Sequence, residues 1–470
     1  MNCIWTQNGI SARAVNDFFA KQKERGNEIH CLEVYEKGKT VIRIAQHPYS
    51  PEEKREVYSL SKTFTSTAVG IAADNGLVDI NERIVDIFPD KCPENICENL
   101  KKMTVKHLLS MNTGHHFCVM PKMSPADDCV KAFLEQDVMF EPGTHFAYNT
   151  GATCMLSAII EKRTGMSLFD YVYQNLLSPL GIENAYWSTV KDGTNEGGTG
   201  IHISCDDILK LGILYLNKGI YDGKRIVSEK WIKEASFPHS DNSKNGTPDW
   251  CAGYGYQIWI NDREGYRGDG AFGQLCMVLP ERETVVAVMA NCMNSMQLEI
   301  DGVFELLENL HTDGGSIEEI GFSAYEKCTI PDLPILNKTF VLDKNDIGFE
   351  KVTVKHENDI LSLCFYDGKE EQTILAGNGE YVESSYRAKW RMPKILGLMR
   401  TDYAEQILCA SCFTAKTDGI DIFVRFLNSP NMETIKISFE NDKINILFEN
   451  EFSRELLYDN VRSLSGRLHC

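Results

Sequence analysis

The stretch YSLSKTFTSTAVG, residues 58–70, runs on through Ala73 with no charge after Lys62. An uncharged run of this length, free of proline, predicts a helix from about Ser59 to Asn75 that is buried on most sides. Ser59 and Lys62 stand three residues apart, so on a helix they share a face. A lysine in apolar company is partly desolvated. Its pKa falls, and it can serve as a base for a neighbouring hydroxyl. The helix N-terminus adds positive potential and unbonded N–H groups, both of which favour an alkoxide or an oxyanion. The competing reading is a serine cap and a lysine that runs its stem along the surface. A second Ser-x-x-Lys, Ser188 and Lys191, lies in WSTVKDGTNEGGTG (187–200), a Gly-rich loop with no helix behind it. That one is read as accidental.

Two further segments bear on the choice. Tyr148 sits in EPGTHFAYNTGATCMLSAII (141–160), after a Pro-Gly turn and before a helix. A phenol beside a lysine can titrate toward phenolate and shuttle a proton between the serine and a leaving group. In YRGDGAFGQLCMVLPE (266–281), Gly268, Gly270 and Gly273 flank the start of an apolar strand. Glycines there allow close backbone approach, and an edge strand can supply a second oxyanion donor.

The rest of the chain sets the frame. It has 470 residues, 43% hydrophobic and 24% charged, which predicts a soluble protein of two or three domains. A net charge of −19 argues against nucleic acid and anionic membrane surfaces as partners. The first residues, MNCIWTQNGISARAVNDFF, lack the basic and apolar regions of a signal peptide, and no apolar run is long enough to span a bilayer. Sixteen cysteines scattered through apolar runs fit a reducing cytoplasm. The Cys409/Cys412 pair has no second pair or histidine to complete a metal set and reads as a strand carrying thiols. No metal and no cofactor is expected.

Strands are expected at 30–44, around a Gly-Lys turn, and from Tyr254 on, in GYGYQIWIN, GQLCMVLPE and TVVAVMAN. Helices are expected at 104–111, 148–165, 205–219 and 296–310. This order suggests an α+β layout, an antiparallel sheet flanked by helices, over residues 1–312. HTDGGS (311–316) is the linker candidate. Residues 319–470 read as short, regularly spaced strands, a C-terminal all-β barrel or sandwich.

Taken in order, these motifs resemble the serine β-lactamase-like hydrolases, the superfamily of class C β-lactamases, penicillin-binding proteins and related esterases. The likeness covers about residues 20–310. ERIVDIFPD, MTVKHLLSMNTG and GGTGIHISCDDILKLG resemble its connecting segments. The resemblance implies an enzyme, a serine hydrolase acting through an acyl-enzyme on a small ester or amide. Ser59 would be the nucleophile, Lys62 its base and Tyr148 the proton shuttle. The N–H groups of Ser59 and Ala271 would form the oxyanion hole, with Asn149 and Gly270 on the substrate side. Its partner would be a small-molecule substrate, with self-association into a homo-oligomer left open. The alternatives are a D-amino-acid peptidase or transacylase, and a non-catalytic penicillin-binding-like sensor.

Two positions depart from the family pattern. Its Tyr-x-Asn reads YNT here, with Thr150 in the asparagine's place. Its Lys-Thr-Gly or His-x-Gly tripeptide occurs nowhere; GDG (268–270) stands at that position, and Asp269 would repel a substrate carboxylate. SDN (240–242) resembles a motif of other β-lactamase classes but is read as a surface loop. His115 and His116 are read as structural.

Overall fold

The computed structural model describes residues 4–6, 9–293, 295–312, 326–386, 407–450 and 462–469. The chain divides into two compact units, Met1–Ile320 and Gly321–Cys470.

The first unit is built on a seven-stranded sheet, antiparallel throughout. Its strands are β1 (Ile4–Thr6), β2 (Glu28–Glu36), β3 (Lys39–Ala45), β4 (Trp259–Ile260), β5 (Tyr266–Gly270), β6 (Gln274–Leu279) and β7 (Thr284–Asn291), in the order β1-β3-β2-β7-β6-β5-β4. Strands from the two ends of the unit thus meet in the middle of the sheet, at β2 and β7. Two helices, α1 (Ala12–Glu24) and α5 (Met296–Glu308), cover one face. Val15, Phe18, Ile300, Val303 and Phe304 join Leu32, Ile42, Met277 and Val286 in one apolar cluster there. The other face carries α4 (Cys205–Leu216), whose Gly212 lies so close to β7 that a Cβ would stand 2.3 Å from Val285 Cγ1.

The run that opened the sequence forms α2 (Ser61–Asp74), preceded by a single 3-10 turn at Tyr58–Leu60. Every residue from Ser61 to Ala72 is buried. The small side chains permit this: Gly70 leaves room for the Trp231 ring, where a Cβ would lie at 2.5 Å. The buried hydroxyls have partners. Ser66 Oγ donates to the Tyr256 carbonyl at 2.7 Å, and Thr67 Oγ1 lies 2.9 Å from the Tyr215 hydroxyl. Helix α3 (Thr150–Thr164) packs beside α2 and ends on Gly165 in the left-handed region at φ 71°.

Two expectations need correction. GYGYQIWIN is not a strand; only Trp259 and Ile260 pair with β5. The backbone before them bonds elsewhere, Tyr256 N–H to the Ala235 carbonyl and Gln257 N–H to the Leu109 carbonyl, with Gln257 at φ 61°. SDN is not a free surface loop. Ser240 and Asn242 are buried, Asn112 Nδ2 donates to Ser240 Oγ at 2.6 Å, and Asn242 Oδ1 accepts the Gly253 N–H at 2.7 Å. Of the linker candidate, residues 313–316 lie outside the described residues.

The second unit is all-β. Nine of its strands, from Lys338–Leu342 to Arg462–Leu468, close into a barrel. The closing contact is a short parallel pairing, Gly377 with Cys412 and Asn378 with Phe413, between Glu371–Asn378 and Ile407–Lys416. A tenth strand, Val382–Tyr386, pairs with Ile407–Lys416 as well. Phe340, Val352, Leu363, Phe413, Ile422 and Ile446 belong to its core. Cys409 and Cys412 lie on a strand and are buried.

Replacing Gly212 with valine should destabilise the protein by roughly 2 kcal/mol or more, because the added side chain must displace β7 or α4. A fall in thermal midpoint with retained far-UV circular dichroism is the expected result.

Candidate active site

Ser59 is the one residue between Val57 and Ala72 that is not buried. The preceding Tyr58 adopts φ 47°, an uncommon backbone conformation for a bulky residue and a cost of about 1–3 kcal/mol. That turn presents the Ser59 hydroxyl at the head of α2. Lys62 lies one helical turn further on and is 1% exposed. Its Nζ is 3.0 Å from Ser59 Oγ, 3.2 Å from Thr150 Oγ1 and 2.7 Å from the Gly198 carbonyl. Burial lowers its pKa to about 7, with Cys118, Asp269 and Glu196 acting in the other direction. A carbonyl can only accept, so one N–H of the neutral amine is committed to Gly198. Its lone pair is then free to face the Ser59 hydroxyl.

The second Ser-x-x-Lys has none of this. Lys191 is 57% exposed and pairs with Asp127.

Tyr148 completes the group. The Ser59 hydroxyl acts on its phenol, lowering its pKa, and Lys62 Nζ lies 4.8 Å from the centre of its ring. The ring stacks on Trp259 at 5.2 Å and 20°. Burial first, and the Asp269 charge next, push the phenol well above its ordinary value. This reverses the expected drift toward phenolate. Tyr148 keeps its proton at neutral pH, which suits a donor better than a base.

Opposite Ser59, β5 lies directly on the segment that carries the serine. A Cβ on Gly268 would meet Thr63 Oγ1 at 2.4 Å, and one on Gly270 would meet the Val57 carbonyl at 2.0 Å. Gly270 therefore serves the packing of backbone on backbone. The turn after β5 holds Ala271, which is exposed, and Phe272 at φ 68°. Gln274 Nε2 donates to the carbonyls of Ala271 and Phe272 at 3.3 and 3.2 Å and to that of Ala290 at 2.8 Å. The Tyr58 and Phe272 rings meet edge to face at 5.1 Å. This contact joins the two segments that carry the Ser59 and Ala271 N–H groups.

Asn149 sits elsewhere than expected. It is fully buried, and its Oδ1 accepts the N–H groups of Gly151 and Val119 at 3.0 and 3.1 Å, so it caps α3 and anchors the loop before Met120. Thr150, in the asparagine's place, is the residue that reaches Lys62. His115 is buried against Phe133, and burial lowers its pKa to about 4; His116 lies at the surface. Gly198 and Trp259 were not singled out from the sequence. The Gly197-Gly198 pair was the available signal. A Cβ on Gly198 would meet Thr150 Cγ2 at 2.7 Å, so glycine is what lets this carbonyl reach the lysine.

The chain belongs to the beta-lactamase family of hydrolases, whose family model matches residues 27–308. A 6-aminohexanoate-dimer hydrolase of Paenarthrobacter ureafaciens is 21% identical over 275 residues, 52% of this chain and 67% of its own. An octameric penicillin-binding protein homologue from Pyrococcus abyssi is similar over 97% of this chain and 99% of its own, with TM-score 0.53 and 17% identity. A family VIII carboxylesterase is similar over 66% and 100%, with TM-score 0.54 and 19% identity. The likeness to these solved structures is one of fold. Among the described residues, no helix is long and apolar enough to cross a membrane, and no cluster of His, Cys, Asp or Glu is arranged to hold a metal ion.

The buried lysine gives a stability prediction. Between about 7 and its ordinary value of 10.5, the unfolded chain holds the Lys62 proton and the folded chain does not. Stability therefore rises with pH across that window. Below it, the folded state carries the full cost of a buried ammonium. The thermal midpoint of Lys62→Met relative to wild type should be highest near about pH 6 and decline toward about pH 9. A difference that stays flat with pH would show that this amine does not titrate as described.

Proposed function

We propose that the protein is a serine hydrolase that works through an acyl-enzyme on a small, uncharged ester or amide. The observation that carries this reading is the 3.0 Å contact between Ser59 Oγ and a buried Lys62 amine whose pKa lies at about 7. Lys62 takes the proton as Ser59 Oγ attacks the carbonyl carbon. The resulting oxyanion faces the N–H groups of Ser59 and Ala271, and the turn carrying Ala271 is tied down by Gln274 before any substrate arrives. Tyr148 gives its proton to the leaving group and is reprotonated through Lys62. Water then attacks the acyl carbon and Ser59 departs. The absence of a cation at Gly268 and the presence of Asp269 favour esters or amides that bear no carboxylate. The octameric state is that of the Pyrococcus protein; for this chain, self-association is a proposal that light scattering tests.

Hydrolysis of p-nitrophenyl butyrate by wild type and Ser59→Ala, side by side, tests the reading. Serine-dependent turnover and an acyl adduct on Ser59 by mass spectrometry are expected. Lys62→Ala should lose about a thousandfold or more in kcat/KM. An adduct that forms and persists without turnover would point to a sensor instead.

For the wild type, kcat/KM should rise through about pH 7 as Lys62 loses its proton, then level off, because Tyr148 titrates far higher. A rate that falls through the same range would exclude Lys62 as the base.

A further inference from the structure

The Gly198 carbonyl that holds Lys62 belongs to a segment, residues 195–200, that is buried throughout. Its backbone turns sharply. The Gly198 N–H donates to the Glu196 carbonyl at 2.6 Å across Gly197, which stands at φ 65°. A three-residue turn with a positive central φ is the rare, strained form and persists only where its surroundings hold it. Here it is held on both sides of Gly198. Before it, the Gly197 carbonyl accepts from Thr65 Oγ1 at 2.7 Å. After it, the Thr199 carbonyl accepts the Trp187 indole N–H at 2.7 Å, and Thr199 Oγ1 donates to Glu56 Oε1 at 2.9 Å.

Thr65 is the member of this group that lies on the same element as the base. It stands three residues after Lys62, on the same face of α2, and has no exposed surface. Lys62 and Thr65 therefore donate to consecutive carbonyls, those of Gly198 and Gly197. A hydroxyl inside a helix can return to the carbonyl four residues back, as Thr67 Oγ1 does to Thr63 at 2.7 Å. Thr65 instead reaches out of its helix to the turn. Fully buried, it touches no substrate, so its influence on the reaction passes through the turn and Lys62.

We propose that Thr65 is a positioning residue for the base. By holding the Gly197 carbonyl it keeps the strained turn in the form that offers the Gly198 carbonyl to Lys62 Nζ, and so fixes the direction of the amine's lone pair. This rests on the acyl-enzyme reading for its effect on rate, but not for its effect on the amine. Valine at this position keeps the shape of threonine, removes the donor and leaves a buried carbonyl unpaired.

The test is a double-mutant cycle on p-nitrophenyl butyrate, each rate corrected for that of Ser59→Ala. Thr65→Val should lose about tenfold or more in kcat/KM, whereas Thr65→Ser, which keeps the hydroxyl, should stay within about threefold of wild type. In the Lys62→Ala background the same Thr65→Val change should cost less than about twofold, because the group it positions is gone. A merely structural role would cost the same in both backgrounds. Thr65→Ala, which adds no methyl group, replaces the valine variant should that one not fold. A wild-type rate in a folded Thr65→Val, or losses that multiply in the double variant, overturns the proposal.

A measurement without turnover accompanies it. The Gly198 carbonyl favours the ammonium form of Lys62, so its displacement lowers the amine's proton affinity further. The groups that face Lys62, namely Ser59, Tyr148, Thr150, Cys118, Asp269 and Glu196, are left in place by the substitution. The thermal midpoint gained by Lys62→Met should therefore begin to decline at lower pH in the Thr65→Val background than in wild type. An onset that does not move likewise overturns the proposal. Equal ester turnover by wild type and Ser59→Ala would sink the acyl-enzyme reading, and the onset would still decide whether Thr65 sets the amine.

Discussion

An ammonium group taken out of water must be neutralised or tightly held, and the first unit is organised around that requirement at Lys62. The surroundings do some of each. Burial removes much of the group's affinity for a proton, and Gly198, Thr150 and Ser59 take its hydrogen bonds. The residues of α2 then follow. Only a helix of small and hydroxylated side chains can be buried between Ser61 and Ala72 without stranding polar atoms or excluding the Trp231 ring. Such a helix contributes less to stability than a leucine-rich one would, and a hydrocarbon side chain at position 62 would sit there more comfortably. The amine is therefore held there at a cost to stability.

Ser59, Lys62 and Tyr148 stood out in the sequence because their signals are local: a charge-free helical run with one lysine at its head, and a tyrosine at a turn-to-helix junction. What supports them was not legible. Thr150 reaches Lys62 across α2 and α3, Gly198 comes from a loop 136 residues away, and Trp259 arrives from the far edge of the sheet. None of these has a spacing relation to Ser59. Asn149 shows the opposite error. A residue type prized for binding lies next to Tyr148, but asparagine is equally suited to capping a helix, and the fold uses it so.

The same division holds for the architecture. The antiparallel sheet with helices and the all-β second unit could be read from periodicity. GYGYQIWIN could not, because its apolar and aromatic residues are buried through bonds to Ala235 and Leu109 rather than to a neighbouring strand. In β5 the alternation was visible but its meaning was not. The glycines at 268 and 270 admit the Ser59 segment on one side, while Arg267 and Asp269 pair on the other.

The barrel of the second unit ties its first strand to its last: Phe340 lies opposite Leu468, and Leu342 opposite Gly466. Such a ring cannot be completed piecemeal as the chain emerges from the ribosome. Until Arg462–Leu468 is available, Lys338–Leu342 has an open edge, able to pair with any other extended segment. Most of this unit therefore spends its synthesis as a curved but open sheet, and closure is a late, long-range event of the slow kind. The cell's exposure to misassembly of this protein is set by the time between making the first barrel strand and making the last.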